Sequence, residues 1–219
     1  DDDEISVARD NQVLTDAQIS TLLRAACEID DEQGFEGDLY RLVVCLAATG
    51  ARFAQARRMR VSDAQLKEQR LMVPGSYKGR GGNGGSVPVP VGEDIIEVLL
   101  PGILEAGSIV WRKSERGPWK TAELTRPWHA IRERAGLPEA IPYALRHSSI
   151  VRGLRNRLPI QHVAKLHNTS VKMIERHYAK YISTALEDLA RAAVVPLVPR
   201  PGENAVGADD SKKLLPSNA

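Results

Sequence analysis

Apolar residues recur at helical spacing near the start of the chain and predict two helices. Thr15 and Gln18 stand at the spacing of a capping box. The apolar stripe that follows consists of Ile19, Leu22, Leu23 and Ala26. Acidic residues and two glycines predict a loop over 30–38. A second helix is expected from about residue 39 to residue 49, with Gly50 as its C-terminal stop.

The pattern changes after the second helix. Arg52 lies on the turn into another predicted short helix, which holds Arg57, Arg58 and Arg60. Apolar residues at 71–73 and 87–91 then flank the glycine-rich run 79–85. Short apolar strands around glycine and asparagine predict an antiparallel hairpin with a mobile, exposed tip. The run lacks the Gly-Lys-Ser/Thr ending of a phosphate-binding loop.

Helical patterning resumes at Glu93 and continues to the last apolar segment, a helix predicted at about 184–195. Breaks are predicted near residues 101–102, 117–118, 136–138 and 142. The fold class is therefore mainly α (α+β), a helical domain with one small antiparallel sheet. We expect an acidic linker at 1–12, the folded domain at 13–195 and a disordered tail at 196–219, where Pro, Gly, Asn, Asp and Ser accumulate.

Composition narrows the protein class. The 219 residues are 42% hydrophobic and 26% charged, which favours a packed core over disorder. No apolar run approaches the roughly 20 residues of a membrane span. The acidic start, Asp1-Asp2-Asp3-Glu4, is unlike a secretory signal, and the two cysteines have no metal-spaced partners. We therefore expect a cytoplasmic protein with no membrane association and no bound metal.

Charge is distributed unevenly along the chain. Residues 1–40 carry 12 acidic and 2 basic side chains, whereas residues 41–219 carry 16 acidic and 28 basic ones. The stretch 141–181 holds 8 basic residues, 1 acidic residue and four of the five histidines. A basic block within a folded segment is typical of proteins that bind a polyanion, most often nucleic acid, although a solvated arginine-rich helix face has the same composition.

Four separated motifs combine basic and tyrosine residues. The first, Thr49-Gly50-Ala51-Arg52, places an arginine directly after a helix stop. The second, Tyr77-Lys78, precedes the hairpin tip, and the third, Pro142-Tyr143-Ala144-Leu145-Arg146-His147, follows a proline break. The fourth, Glu175-Arg176-His177-Tyr178-Ala179-Lys180-Tyr181, is a basic helical segment with two tyrosines.

This set resembles the tyrosine recombinase (phage integrase) family in order, spacing and flanking residues from about Thr15 to Ala193. Met59-Arg60-Val61-Ser62-Asp63 also stands where the family shows a Leu-Arg-x-x-Asp turn. The resemblance implies a recombinase-like catalytic domain that cuts and rejoins DNA strands through a covalent 3′-phosphotyrosyl intermediate. Such transesterification conserves bond energy and needs no cofactor. Double-stranded DNA is the implied partner, and a tetrameric synapse on DNA is the implied assembly.

The resemblance assigns catalytic roles to residues of the four motifs. Arg52 and Arg146 would hold the scissile phosphate, since a guanidinium is always charged and binds phosphate oxygens in pairs. Tyr178 would be the nucleophile. Its helical spacing with Val171 and Ile174 also suits a core residue, and Tyr181 is the alternative nucleophile.

Lys78 would protonate the departing 5′ oxygen, with Arg80 as its rival for that role. A lysine that only contacts backbone phosphate is the simpler alternative. Further DNA contacts are expected from a set of basic side chains near the motifs: Arg80, His147, Arg176 and His177.

Three positions depart from the family pattern. Gln55 replaces a glutamate, and Tyr143 replaces the first histidine of His-x-x-Arg. The family's late histidine falls on Thr169, with Asn168 in place of glycine, while His167 lies two residues earlier on an apolar stripe. We expect Thr169 to lie near the phosphate, keep His167 as the alternative, and expect Thr169 or Ser170 to cap the next helix. These changes predict a slow enzyme.

The chain begins close to where the family's catalytic domain begins, so we expect a preceding DNA-clamping domain to be missing here. Alone, the domain should bind DNA weakly and mainly through phosphates. Other functions compatible with the sequence are a DNA-binding module of the same fold without catalysis, a type IB topoisomerase, and an unrelated helical regulator.

Overall fold

The computed structural model describes residues 10–76, 85–106 and 118–195. The elements, in chain order, are a 3-10 helix (Asp10–Gln12), α1 (Asp16–Gln33), α2 (Asp38–Thr49), α3 (Phe53–Ala56), a second 3-10 helix (Val61–Asp63), β1 (Ala64–Gln65), β2 (Arg70–Val73), β3 (Val87–Pro90), α4 (Glu93–Ala106), α5 (Thr121–Arg134), α6 (Ala144–Arg155), α7 (Ile160–Leu166) and α8 (Val171–Ala192). The predicted tail 196–219 and residues 77–84 of the predicted hairpin, with Lys78 and Arg80, lie outside the described residues.

The expected fold class, mainly helical with one small antiparallel sheet, is confirmed. Strands β2 and β3 pair antiparallel, with Leu71 opposite Val89. Both side chains are buried and join the main core. Strand β1, which the sequence did not reveal, adds two residues to the other edge of β2.

Helix α1 begins as its sequence predicts. The backbone N–H of Gln18 donates to Thr15 Oγ1 at 3.2 Å, and the Thr15 N–H donates to Gln18 Oε1 at 2.9 Å. The helix then continues to Gln33, so the loop predicted from residue 30 is wrong at its start. Asp30 is buried, and its carboxylate accepts hydrogen bonds from the N–H groups of Gly37 and Tyr40. The acidic residue therefore caps the start of α2 instead of interrupting α1.

Three further boundaries differ from the pattern. Helix α3 ends at Ala56, so Arg57, Arg58 and Arg60 are not held within it. Helix α4 passes through Pro101, because its packing on α2 through the fully buried Leu99 outweighs the lost hydrogen bond. The helix predicted at 184–195 is the end of the longer α8, which bends where the backbone leaves helical geometry at Tyr178 (φ −131°, ψ 18°).

Two apolar clusters organise the fold. The larger one joins α1, α2, α5 and the sheet, with Trp119 and Trp128 among its buried side chains. The smaller one joins α6, α7 and α8 and includes Ile150, Ile174 and Tyr178. No helix in the described ranges combines the length and the apolar character of a membrane span.

Candidate active site

The end of α2 fixes one wall of the site. Gly50 adopts the left-handed conformation (φ 60°) that ends the helix, and its carbonyl accepts a hydrogen bond from Arg146 Nη1 at 2.8 Å. A Cβ at this position would lie 2.7 Å from Ser149 Oγ, 2.8 Å from Ser149 Cβ and 2.9 Å from His167 Cδ2. Both the backbone conformation and the close approach of α6 and α7 therefore require glycine.

The end of α7 holds both arginines of the motifs. Asn168 is left-handed (φ 48°), the Thr169 N–H donates to Ala164 O at 2.9 Å, and the Asn168 N–H donates to Lys165 O at 3.1 Å. These two bonds define a Schellman motif. The carbonyl of His167 accepts from Arg146 Nη2, and the next carbonyl, that of Asn168, accepts from Arg52 Nη1 at 3.3 Å.

Hydrogen bonds fix both the backbone and the guanidinium of Arg52. Nη1 also donates to Ser76 Oγ at 3.1 Å. The Arg52 N–H donates to Gln55 Oε1 at 3.1 Å, and Gln55 Nε2 donates to Pro74 O at 2.7 Å. The buried Gln55, which stands where the family pattern has glutamate, thus ties the arginine turn to the segment that follows β2.

Arg146 carries a buried positive charge. Its side chain is 2% exposed, and burial together with the neighbouring Arg52 lowers its pKa to about 10. The guanidinium remains protonated at neutral pH. It donates hydrogen bonds to the neutral carbonyls of Gly50 and His167, and Tyr143 is a further neutral hydrogen-bond partner. An anion bound beside the two arginines would offset this buried charge.

Tyr178 and His147 meet at the bend of α8. His147 Nδ1 lies 2.7 Å from Tyr178 Oη, and both side chains are buried. Burial raises the pKa of the Tyr178 phenol well above its usual value, the nearby Tyr143 adds to that rise, and Arg146 and Arg52 oppose it. Burial, Arg146 and His177 lower the pKa of His147 to about 4. The imidazole of His147 and the phenol of Tyr178 are therefore both neutral at pH 7.

These side chains open onto one cleft of about 850 Å³. Its polar wall is formed by Arg52, Tyr143, Arg146, His147, Thr169 and Tyr178. Its apolar wall includes Leu46, Trp128, Ile150 and Ile174, from both apolar clusters. Electrostatic interactions strengthen where apolar walls exclude water, so the buried Arg146 acts on an anion in the cleft with less solvent screening than the half-buried Arg52.

Thr169 and His167, the two alternatives for the family's late histidine, lie in different surroundings. His167 is buried at the end of α7, where Nδ1 donates to Val163 O at 2.9 Å and Nε2 accepts from Ser149 Oγ at 2.9 Å. Burial, followed by Arg146, lowers its pKa to about 4. Thr169 lines the cleft, and Ser170 is the residue that caps α8, with Met173 N donating to its hydroxyl.

The two tyrosine alternatives also differ. Tyr178 lines the cleft, whereas the Tyr181 ring lies 5.5 Å from the Arg155 guanidinium in the smaller cluster. Tyr178 is also a core residue, as its helical spacing with Ile174 allowed. Tyr143 faces the edge of the His147 ring at a centroid distance of 4.9 Å.

The side chains expected to contact DNA differ in their exposure. Arg176 is exposed, and His177 is half-buried on the cleft wall. Within the described ranges, His177 Nδ1 is buried without a hydrogen-bond partner. His147, also expected to contact DNA, is buried and turns Nδ1 to Tyr178 instead. Arg80 and the proposed acid Lys78 lie outside the described residues.

Sequence reasoning missed the groups that hold the arginines. Ser76 and the carbonyls of Gly50, His167 and Asn168 carry no local signal for this role, because a carbonyl is common to every residue and its partners are distant in sequence. Among residues 10–76, 85–106 and 118–195, no cluster of three or more His, Cys, Asp and Glu side chains is arranged to hold a metal ion.

Comparison with family models shows the family, and comparison with solved structures shows the fold. The sequence model of the phage integrase family matches residues 12–183. The crystal structure of XerA recombinase superposes with a TM-score of 0.63 at 19% identity, covering 84% of this chain and 66% of that one. Comparison with curated proteins gave no match.

Two DNA complexes share the fold as well. XerH site-specific recombinase bound to difH substrate, in a pre-cleavage complex, gives a TM-score of 0.65 at 18% identity and covers 82% of this chain and 53% of that one. A lambda integrase tetramer bound to a Holliday junction gives 0.53 at 18% identity, with 72% and 45% covered. The chain spans 66% of the length of XerA and 52–53% of the length of XerH.

Proposed function

Because this chain belongs to the phage integrase family, we propose that it cuts and rejoins DNA strands through a covalent bond between Tyr178 and a 3′ phosphate. The observation that carries the proposal is the single cleft lined by Arg52, Arg146 and Tyr178. These residues are far apart in sequence and come from three different elements. Proteins of the same fold include XerH, described in pre- and post-cleavage complexes with its DNA substrate.

Arg52 and Arg146 would bind the nonbridging oxygens of the scissile phosphate. Negative charge on these oxygens grows in the transition state, and fixed cations aimed at them lower the barrier. Hydrogen bonds to the consecutive carbonyls of His167 and Asn168 hold the two guanidinium groups side by side. Little reorganisation is then needed when the phosphate enters.

Tyr178 would attack the phosphorus and displace the 5′ oxygen. Its phenol pKa is raised by burial, so the hydroxyl is protonated at neutral pH and must lose its proton as the bond to phosphorus forms. Lys78 would supply a proton to the departing 5′ oxygen. Thr169 and Tyr143, both on the cleft wall, would add hydroxyl hydrogen bonds to the phosphate.

Double-stranded DNA is the proposed partner, and four copies on DNA are the proposed assembly. Residues 41–219 carry 28 basic and 16 acidic side chains, which favours a polyanion. Lambda integrase, which has the same fold, is a tetramer on a Holliday junction. Sedimentation of this chain with and without a synthetic four-way junction tests the assembly, and a monomer on the junction at saturating protein would contradict it.

A nicked suicide duplex tests the reaction. Cleavage near the nick releases a short strand and traps the covalent protein–DNA adduct, which is resolved on a denaturing gel. We expect the wild type to form the adduct and Tyr178→Phe to form none, while its DNA affinity stays close to wild type because phosphate contacts dominate. Tyr181→Phe is the matched control and should keep the adduct.

The outcomes separate the candidate functions. Adduct formation by Tyr178→Phe but not by Tyr181→Phe would overturn the assignment of the nucleophile. Binding without any adduct, on a duplex carrying the protein's own recombination site, would support the second candidate, a DNA-binding module of this fold. The observation in favour of that second candidate is Tyr143 at the position of the family's histidine, since a phenol is not a base near neutral pH.

A further inference from the structure

His147 makes a contact that its predicted role as a DNA ligand does not explain. Its Nδ1 lies 2.7 Å from the hydroxyl of Tyr178, across the interface between α6 and α8. His147 is 2% exposed and Tyr178 is 5% exposed. The hydroxyl of Tyr178 donates in this buried hydrogen bond when the neutral imidazole of His147 carries its proton on Nε2.

The other hydroxyls on the cleft wall are unsuited to removing that proton. Tyr143 and Thr169 stand at the positions where the family pattern has histidines, and neither side chain accepts a proton near neutral pH. The imidazole of His167 is turned to Ser149 and Val163. His147 is the imidazole in direct contact with the Tyr178 hydroxyl.

We propose that Nδ1 of His147 accepts the proton of Tyr178 while the phenol oxygen attacks the scissile phosphate; this rests on the proposed function. The bond from Tyr178 Oη to phosphorus forms and the bond from phosphorus to the 5′ oxygen breaks. The phenol proton moves to His147, and the departing 5′ oxygen takes one proton from solvent water. Rejoining reverses each transfer, so no oxidant, reductant or cofactor is involved.

The surroundings of His147 suit a base that works only when DNA is bound. The titratable groups that act on His147 or on its partner Tyr178 are Arg52, Tyr143, Arg146, His177 and Tyr181. Burial, Arg146 and His177 lower the pKa of the imidazole, so it is neutral at pH 7 and a weak base while the cleft holds no anion. A phosphate placed between Arg52 and Arg146 offsets their positive field, which favours the imidazolium form of His147 during attack.

Resonances of wild-type protein labelled with 15N-histidine test the resting state. If Nδ1 accepts from Tyr178, the neutral ring carries its proton on Nε2, and Nδ1 has the chemical shift of an unprotonated nitrogen. Loss of the resonance in His147→Asn assigns it. A protonated Nδ1 in the neutral ring would overturn the proposal, because His147 would then donate to the phenol oxygen. This measurement is made on the wild-type protein and requires no DNA cleavage. The variant serves only to assign the resonance.

Single-turnover cleavage of the suicide duplex tests the proton transfer. In His147→Asn the amide oxygen takes the place of Nδ1 and still accepts the phenol's hydrogen bond, but it does not take up a proton. We expect adduct formation to slow by about a hundredfold or more at saturating protein, as for loss of a general base. His162→Asn, an exposed histidine of α7, is the matched control and should match wild type.

Rescue separates a base from a structural contact. Imidazole added to His147→Ala should enter the cleft and restore part of the adduct rate; weak binding to the folded variant also raises its thermal unfolding midpoint, so the adduct rate is the readout. Cleavage by His147→Asn at the wild-type rate, or a rate defect in His147→Ala that imidazole leaves untouched, would overturn the role of His147 and leave the proposed function standing. A wild type that forms no adduct on its own site would overturn both.

Discussion

Replacing Gly50 by alanine should destabilise the protein through two separable effects. The residue has φ 60°, a conformation that costs an L-residue about 1–2 kcal/mol. The new Cβ would lie 2.7 Å and 2.8 Å from two Ser149 atoms and 2.9 Å from His167 Cδ2. Ser149 Cβ belongs to the frame of α6 and cannot rotate away, so overpacking adds about 1–3 kcal/mol. The total loss expected for Gly50→Ala is about 2–5 kcal/mol.

Gly136→Ala is the matched control. Gly136 also follows a helix and has a similar backbone angle (φ 66°), but an added Cβ would meet no atom within 4 Å. Its cost should therefore be the conformational part alone, about 1–2 kcal/mol. Urea titration with linear extrapolation gives both free energies of unfolding, and the difference between the variants should be about 1–3 kcal/mol.

Activity supplies a second readout of the same change. Relief of the overlap moves α6 away from the end of α2, which lengthens the 2.8 Å bond from Arg146 Nη1 to the Gly50 carbonyl. Adduct formation by Gly50→Ala should fall by about tenfold or more, since misplacement of a catalytic group by an ångström is costly, while Gly136→Ala should cleave like wild type. Equal destabilisation by the two variants would refute the packing argument.

Three further outcomes follow from buried groups. Stability should fall as pH drops from 6.5 towards 4, because His147 and His167 stay neutral in the fold with pKa values of about 4 and are protonated when unfolded. Each histidine lowers the free energy of unfolding by about 1.4 kcal/mol for every pH unit of acidification in this range. A free energy of unfolding from urea titration that does not change with pH over that range would contradict the prediction. Gln55→Glu should cost about 1–3 kcal/mol in a urea titration, since a carboxylate cannot donate to Pro74 O; unchanged stability would contradict this. Cys45 is fully buried, and burial raises its thiol pKa to about 12. A chromogenic disulfide reagent should therefore modify Cys45 only on unfolding, and later than the half-buried Cys27. Equal rates of modification in the native protein would contradict this.

Local sequence signals predicted the elements that hold the site. The capping box at Thr15 and the stop at Gly50 depend on residues a few positions apart, and both stand as predicted. Asn168 is a further local signal, because asparagine tolerates the left-handed conformation that it adopts between α7 and α8. Such signals are readable because the interaction is complete within one turn of backbone.

Interactions between distant segments were not predictable in this way. Asp30 looked like part of an acidic loop, yet its carboxylate caps the next helix. Pro101 looked like a break, yet tertiary packing keeps α4 continuous. The bond between His147 and Tyr178 spans 31 positions. In each case the three-dimensional fold supplies a partner, or a packing surface, that the local pattern does not contain.

The use of main-chain carbonyls to hold Arg52 and Arg146 bears on how much the sequence can drift. Every amino acid carries a carbonyl, so an anchor made of the His167 and Asn168 peptide oxygens survives a change of side chain at either position, provided that the turn is kept. The two carbonyls belong to successive peptide planes that meet at the Cα of Asn168, so their separation is set by the backbone angles of that left-handed residue. The spacing of the two positive charges therefore tolerates new side chains at 167–169 as long as the turn is kept, and both arginines keep their backbone anchors although these residues depart from the family pattern.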